Sequence, residues 1–214
     1  NVNQLLTFNY NQYFLLSCSG KEFANLLSSI NTFLTVLIDD LITNIAIPCS
    51  TYVKNLIIYT HRAYLYIYGS IDKLIIINNG SNTTLLNNAF INSFIVRANK
   101  GIIEIENNAN ITNLQVDLNN YRIIVEDNAI IDTIQVKQQQ YLLAVGDNAI
   151  VNNIKVNQNN GTIGFAGNAV IGTLEVNQNF HNIIIEDAVV VDKLVCNENT
   201  GTVYIAPTAT VKNN

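Results

Sequence analysis

Glu106, Glu126, Asp127 and Asp147 are the side chains of this sequence best placed to do chemistry. Glu106 and Glu126 are 20 residues apart, as are Asp127 and Asp147. Hard carboxylate oxygens gathered at one corner suit a calcium ion. The cluster is interrupted at Gly146, Ala166 and Gly167, and a solvated acidic corner is the simpler reading. His61 and His181 have no partners at metal-ligand spacing and are assigned no role. Cys18 and Cys49 lie outside the regular pattern, which leaves a disulfide between them open, while Cys196 takes an inward position within it. Tyr64, Tyr66 and Tyr68 alternate along one segment, so their rings share a face and form a candidate platform for a sugar or a protein. No catalytic residue, metal site or cofactor is assigned.

The elements that position these residues follow from a repeat. Asn88, Asn108, Asn128, Asn148 and Asn168 stand 20 residues apart, each followed by alanine. Self-similarity at a fixed period of this length marks a solenoid. In one repeat the regularly apolar positions are Ile123, Val125, Ala129, Ile131, Ile134 and Val136, and the next repeat has Leu143, Val145, Ala149, Val151, Ile154 and Val156. They form pairs two residues apart, which is strand spacing with both side chains on one face. Val and Ile favour strands, and Asn is a poor helix former. A leucine-rich repeat needs a Leu spacing that is absent here. The sequence therefore predicts an all-β parallel β-helix of about eight coils, with three short strands per 20-residue coil.

Two polar ladders accompany the pattern. Asn amides one coil apart, at about 4.8 Å, can bond along the axis, and Asn tolerates the left-handed backbone of a bend. A second ladder, from Asn99 through Gln139 to Asn199, falls in the longest polar stretch and is expected at the widest turn of each coil.

Upstream the pattern changes. Lys21 to Thr43 carries apolar residues at three-four spacing and reads as an amphipathic helix capping the first coil. The domain reading is thus residues 1–44 as N-terminal segment and capping helix, and 45–214 as solenoid. The uncharged run Phe23–Ile38 falls short of the ~18–20 residues that span a bilayer, so a membrane segment is the weaker reading. No comparable cap follows Gly201–Asn214, which is read as frayed or as a docking end.

Net charge is −5 and only 13% of residues are charged, with no basic patch of the kind nucleic-acid binding requires. A hydrophobic content of 49% is high for a thin rod, which points to apolar surface buried between molecules. By alternation Phe90, Ile130, Ile150, Val170 and Val190 point outward in one line, broken only by Asn110. Ile124, Ala144 and Ile184 make a second, partly apolar line. Both lines are candidate contacts with a partner. Cover by the chain's own residues 1–19 is the alternative.

The stretch Gly167–Cys196, with GNAVIGTLEV and EDAVVVDKLVC, resembles the repeats of bactofilins, bacterial β-helical filament proteins. The period here is longer and Asn replaces much of the usual Gly. The resemblance implies self-assembly through β-helix ends, with no cofactor. The functional expectation is a non-enzymatic structural protein forming a homo-oligomer, filament, fibre or surface layer, in an extracellular or cell-surface setting. The alternatives are an adhesin or a carbohydrate- or protein-binding module and, third, a glycan-cleaving enzyme, which would need long loops that these coils lack.

Overall fold

The computed structural model describes residues 13–16, 32–42 and 44–213, and these form a parallel β-solenoid. The chain alternates short strands, such as Arg122–Val125, with ten-residue strands, such as Ile130–Gln139. Short strands stack only on short strands, in a sheet of nine. Long strands, together with Tyr13–Leu16 and Thr210–Asn213, build a sheet of 11. All pairings are parallel and nearly all join residues 20 apart, as in Ile123↔Leu143 and Ile134↔Ile154.

The second and third strands expected per coil are one continuous bent strand. Along Ile130–Gln139 the buried residues are Ile131, Ile134, Val136 and Gln139. Strict alternation would give every second residue, so the extra residue between Ile131 and Ile134 marks a corner. Each coil therefore has three faces. Ile123 and Val125 line one, Ala129 and Ile131 the next, Ile134 and Val136 the third, and all are buried.

That 3-2-3 spacing also explains why the N-terminal helix is not observed. Thr32–Leu41, inside the segment read as a helix, is a strand paired with Tyr52–His61 in the register Val36↔Leu56 and Ile38↔Ile58. Val36, Ile38 and Leu41 are buried at the spacing of a bent strand, which mimics helical three-four spacing over ten residues. The solenoid thus extends upstream of residue 45, with Thr32–Leu41 one coil above Tyr52–His61. Residues 17–31 and 1–12, with Cys18, the first half of the proposed helix and most of the proposed N-terminal cover, lie outside the described residues.

One coil is shorter than the rest. Tyr52 pairs with Ser70, 18 residues on, and the turn at Tyr68–Gly69 absorbs the loss. A Cβ at Gly69 would lie 2.4 Å from the Pro48 carbonyl oxygen, so this tight turn requires glycine.

The corner before most of the described long strands is a β-turn, closed for example by Ala129 N donating to Glu126 O at 3.2 Å. Asn87, Asn107, Asp127, Asp147, Gly167 and Asp187 hold positive φ there. The left-handed residue is therefore the one before the repeated Asn. Only Asn88 and Asn108 of that ladder share it. Asn, Asp and Gly are the types that tolerate this backbone.

The second amide ladder differs from its expectation. Asn79, Asn99, Asn119, Gln139, Asn159 and Asn179 point inward and are fully buried. The polar run after each third face conceals one more inward position. Asn79 Nδ2 donates to Asn99 Oδ1 at 2.7 Å, and Asn99 Nδ2 donates to Asn119 Oδ1 at 2.6 Å and to Arg122 O at 3.1 Å. Buried amides need such partners, and here neighbouring coils supply them, except between Gln139 and Asn159, where Gln139 Nε2 donates instead to Thr162 O at 3.4 Å. Replacing Asn99 with Leu removes the acceptor of the Asn79 Nδ2 donor and the donor to Asn119 Oδ1 and the Arg122 carbonyl. The expected loss is about 2 kcal/mol of unfolding free energy, read from urea denaturation.

Candidate interaction surfaces

The outward line lies where alternation places it. Phe90, Asn110, Ile130, Ile150, Val170 and Val190 are successive register partners in the large sheet. Phe90, Ile130, Ile150 and Val170 are 37–43% exposed, and Val190 is half-buried. Neighbours stand about 4.8 Å apart, so the side chains form a continuous ridge. Tyr52, 40% exposed, occupies the same line further up, beyond Ser70.

A third apolar line escaped the sequence reading. Leu37, Ile57, Ile75 and Ile95 are register partners on the outside of the third face, each half-buried. The two-residue shift between Ile57 and Ile75 hides them from a search at a fixed period. Below them the line turns polar with Gln115 and Gln135, then carries the ion pair Lys155–Glu175 at 2.8 Å.

On the short-strand face, Glu104, Ile124, Ala144, Gly164, Ile184 and Tyr204 stack in register. Ile124 and Ile184 are half-buried. Between them Ala144, Gly146, Gly164 and Ala166 leave a hollow of about 250 Å³, walled by Ile124 with Glu126 and by Ile184 with Glu186.

Tyr64 and Tyr66 stack at 6.1 Å with an 8° interplanar angle, and Tyr68 is half-buried. A second aromatic pair, not singled out from sequence, joins Tyr121 and Tyr141 at 5.2 Å. The Arg122 guanidinium lies 5.3 Å from the Tyr121 ring centroid. Two Tyr residues one period apart were the available signal.

The acidic corner has a structural account. Asp127 Oδ2 accepts from Asn107 N at 3.3 Å, and Asp187 Oδ2 accepts from Gly167 N at 2.9 Å, so these carboxylates cap backbone amides of the preceding coil. Burial, with nearby Glu104, Glu126 and Asp127, raises the Glu106 carboxyl above its ordinary range. Burial, with Asp147, Asp127 and Glu104, does the same for Glu126. Among the described residues no group of three or more His, Cys, Asp or Glu is placed to hold a metal ion. Asp117 is pushed up by burial but pulled down further by Lys137 at 2.8 Å and Arg97 at 2.7 Å, to about 2. Cys49 is an exposed free thiol, and burial raises the half-buried Cys196 thiol.

The histidines separate in character. His181 is exposed, whereas His61 is fully buried, and neither of its ring nitrogens has a hydrogen-bond partner. It occupies the position of the inward amide ladder, between Leu41 and Asn79. Burial lowers its pKa to about 4.

No family model matches this sequence. No solved structure matches it. A stretch of 109 residues, 48% of the chain, is 44% identical to uncharacterized protein 417 of Sulfolobus islandicus rod-shaped virus 1. The matched stretch is 25% of that protein's length, so the chain corresponds to a minor part of it.

Proposed function

We propose that this chain is a non-enzymatic structural protein whose copies associate side by side through the outward apolar ridge, building a filament, fibre or layer. The observation that carries this reading is the ridge itself. Ile130, Ile150 and Val170 lie on adjacent coils, each more than a third exposed. Contiguous apolar surface on a soluble rod marks a contact. The ridge lies on interior coils, so it stands whatever sequence adjoins this chain. The line from Leu37 to Ile95 adds a second apolar strip on another face. Among the described residues the coils differ from the 20-residue period by no more than about two residues and carry no inserted loop that would build a cleft, which favours scaffold over enzyme. The bactofilin-like repeat pattern points the same way, toward polymerisation without a cofactor, and an extracellular or cell-surface setting goes with this reading.

The test is Ile150→Lys. The side chain points outward, so the melting temperature is expected to stay within a few degrees of the parent. A lysine in the ridge must lose its hydration in any apolar contact, so association measured by sedimentation is expected to weaken about tenfold or more. Unchanged sedimentation would overturn the ridge as an interface.

The second reading is an adhesin or glycan-binding module. It is favoured by the stacked pairs Tyr64–Tyr66 and Tyr121–Tyr141, the latter with Arg122 beside it. Electron microscopy of purified protein separates the two readings, with polymers expected under the first and discrete rods under the second.

A further inference from the structure

The short-strand face is self-complementary. Over four successive coils its central outward residues are Ala144, Gly164, Ile184 and Tyr204, two small and then two large. The adjoining line at the corner runs Gly146, Ala166, Glu186 and Ala206. The hollow is not imposed by folding. Gly146 and Gly164 have no left-handed φ, and a Cβ built on either meets nothing within 4 Å. An alanine or larger residue would be tolerated at both.

We propose that two copies of this chain dock through this face about a two-fold axis that runs along the strands, midway between Thr162–Phe165 and Asn182–Ile185. This rests on the reading that copies of the chain associate, but uses a different face from the ridge through Ile150. Such an axis inverts the order of coils while keeping each outward line opposite itself. Ile184 then meets Gly164 of the second copy, and Tyr204, 49% exposed, meets Ala144 of the second copy. The reverse contacts follow from symmetry, as an isologous interface requires. Glu186 meets Ala166, so within these four coils no carboxylate directly faces another. A two-fold axis along the rod would instead set Ile184 on Ile184 and hollow on hollow, leaving a void that costs dispersion contacts. Four coils at ~4.8 Å, across ~20 Å of strand and corner, give a footprint of roughly 400 Å² per copy. An interface of that size is weak and concentration-dependent. Combined with the ridge on a neighbouring face, it would extend pairs of rods into an open assembly.

The test moves the knob across the axis. All variants are made in the Ile150→Lys background, which removes the ridge, and are measured by sedimentation equilibrium beside a thermal melt. Gly164→Leu fills the hollow, and Ile184→Ala removes the knob. Each is expected to weaken dimerisation about tenfold while leaving the cooperative melt in place. The double variant Gly164→Leu/Ile184→Ala sets a large side chain at position 164 opposite a small one at position 184, and is expected to recover most of the affinity. No concentration-dependent dimer in the Ile150→Lys background, single variants without effect, or a double variant as weak as the singles would each overturn the proposal. None of these outcomes bears on the ridge, which the Ile150→Lys comparison tests alone.

Discussion

Ile134→Asp is expected to abolish the cooperative melt of the array. Ile134 is fully buried and stacks between Leu114 and Ile154 in adjacent coils. A carboxylate there finds no cation and no amide. It either stays charged in an apolar interior or takes up a proton and remains without a partner. The expected loss is about 5 kcal/mol or more, comparable to the whole stability of many domains. In a solenoid each coil is held by its neighbours, so the damage reaches both interfaces of the affected coil. Gln135→Asp is the control. Gln135 is exposed and its register partner is Lys155, so this variant keeps a melt close to that of the parent. Circular dichroism followed through a thermal ramp distinguishes the two. A cooperative transition in Ile134→Asp near the parent's temperature would mean that the inward register is misassigned.

What was legible in the sequence is what the period imposes. Ile123, Val125, Ile131, Ile134 and Val136 read as core because their equivalents recur without a gap, and a period-two pair admits only one face. The outward position of Ile130, Ile150 and Val170 followed from the same alternation. The failures occur where two physical patterns share one spacing. A strand bent at a corner places inward residues three, two and three apart, and over Thr32–Leu41 that is indistinguishable from one face of a helix. Asn99 and its equivalents read as turn residues because polarity normally means exposure. They are inward because the interior offers them partners there, the amide one coil on and carbonyls such as that of Arg122. The hollow at Ala144 and Gly164 was visible as small residues. Its meaning depends on two flanking strands, which no single repeat contains. His61 was set aside for want of partners, and that want of partners is its distinguishing property.

Stability is expected to fall as pH drops from about 6.5 to about 4, with His61 as the cause. The ring is fully buried, neither nitrogen has a partner, and burial holds its pKa at about 4. In the unfolded chain the same ring titrates near 6.5. Between those values the unfolded state binds a proton that the folded state refuses, so protons favour unfolding. The contribution is fully present above pH 6.5, falls by about 1.4 kcal/mol per unit below it, and levels off below pH 4 after a total of about 3 kcal/mol. The described carboxyls with shifted pKa values act differently. Glu106 and Glu126 have raised pKa values, so their protonation on acidification favours the folded state. Asp117, lowered to about 2 from 3.8, acts mainly below the window. The decisive comparison is with His61→Asn. That variant removes the titrating ring and sets an amide at the head of the ladder, one coil above Asn79. Urea unfolding at closely spaced pH values should show a steep acid loss in the parent and a much flatter profile in the variant. Parallel profiles for the two proteins would mean that His61 titrates freely in the folded state, and the sealed core around it would have to be abandoned.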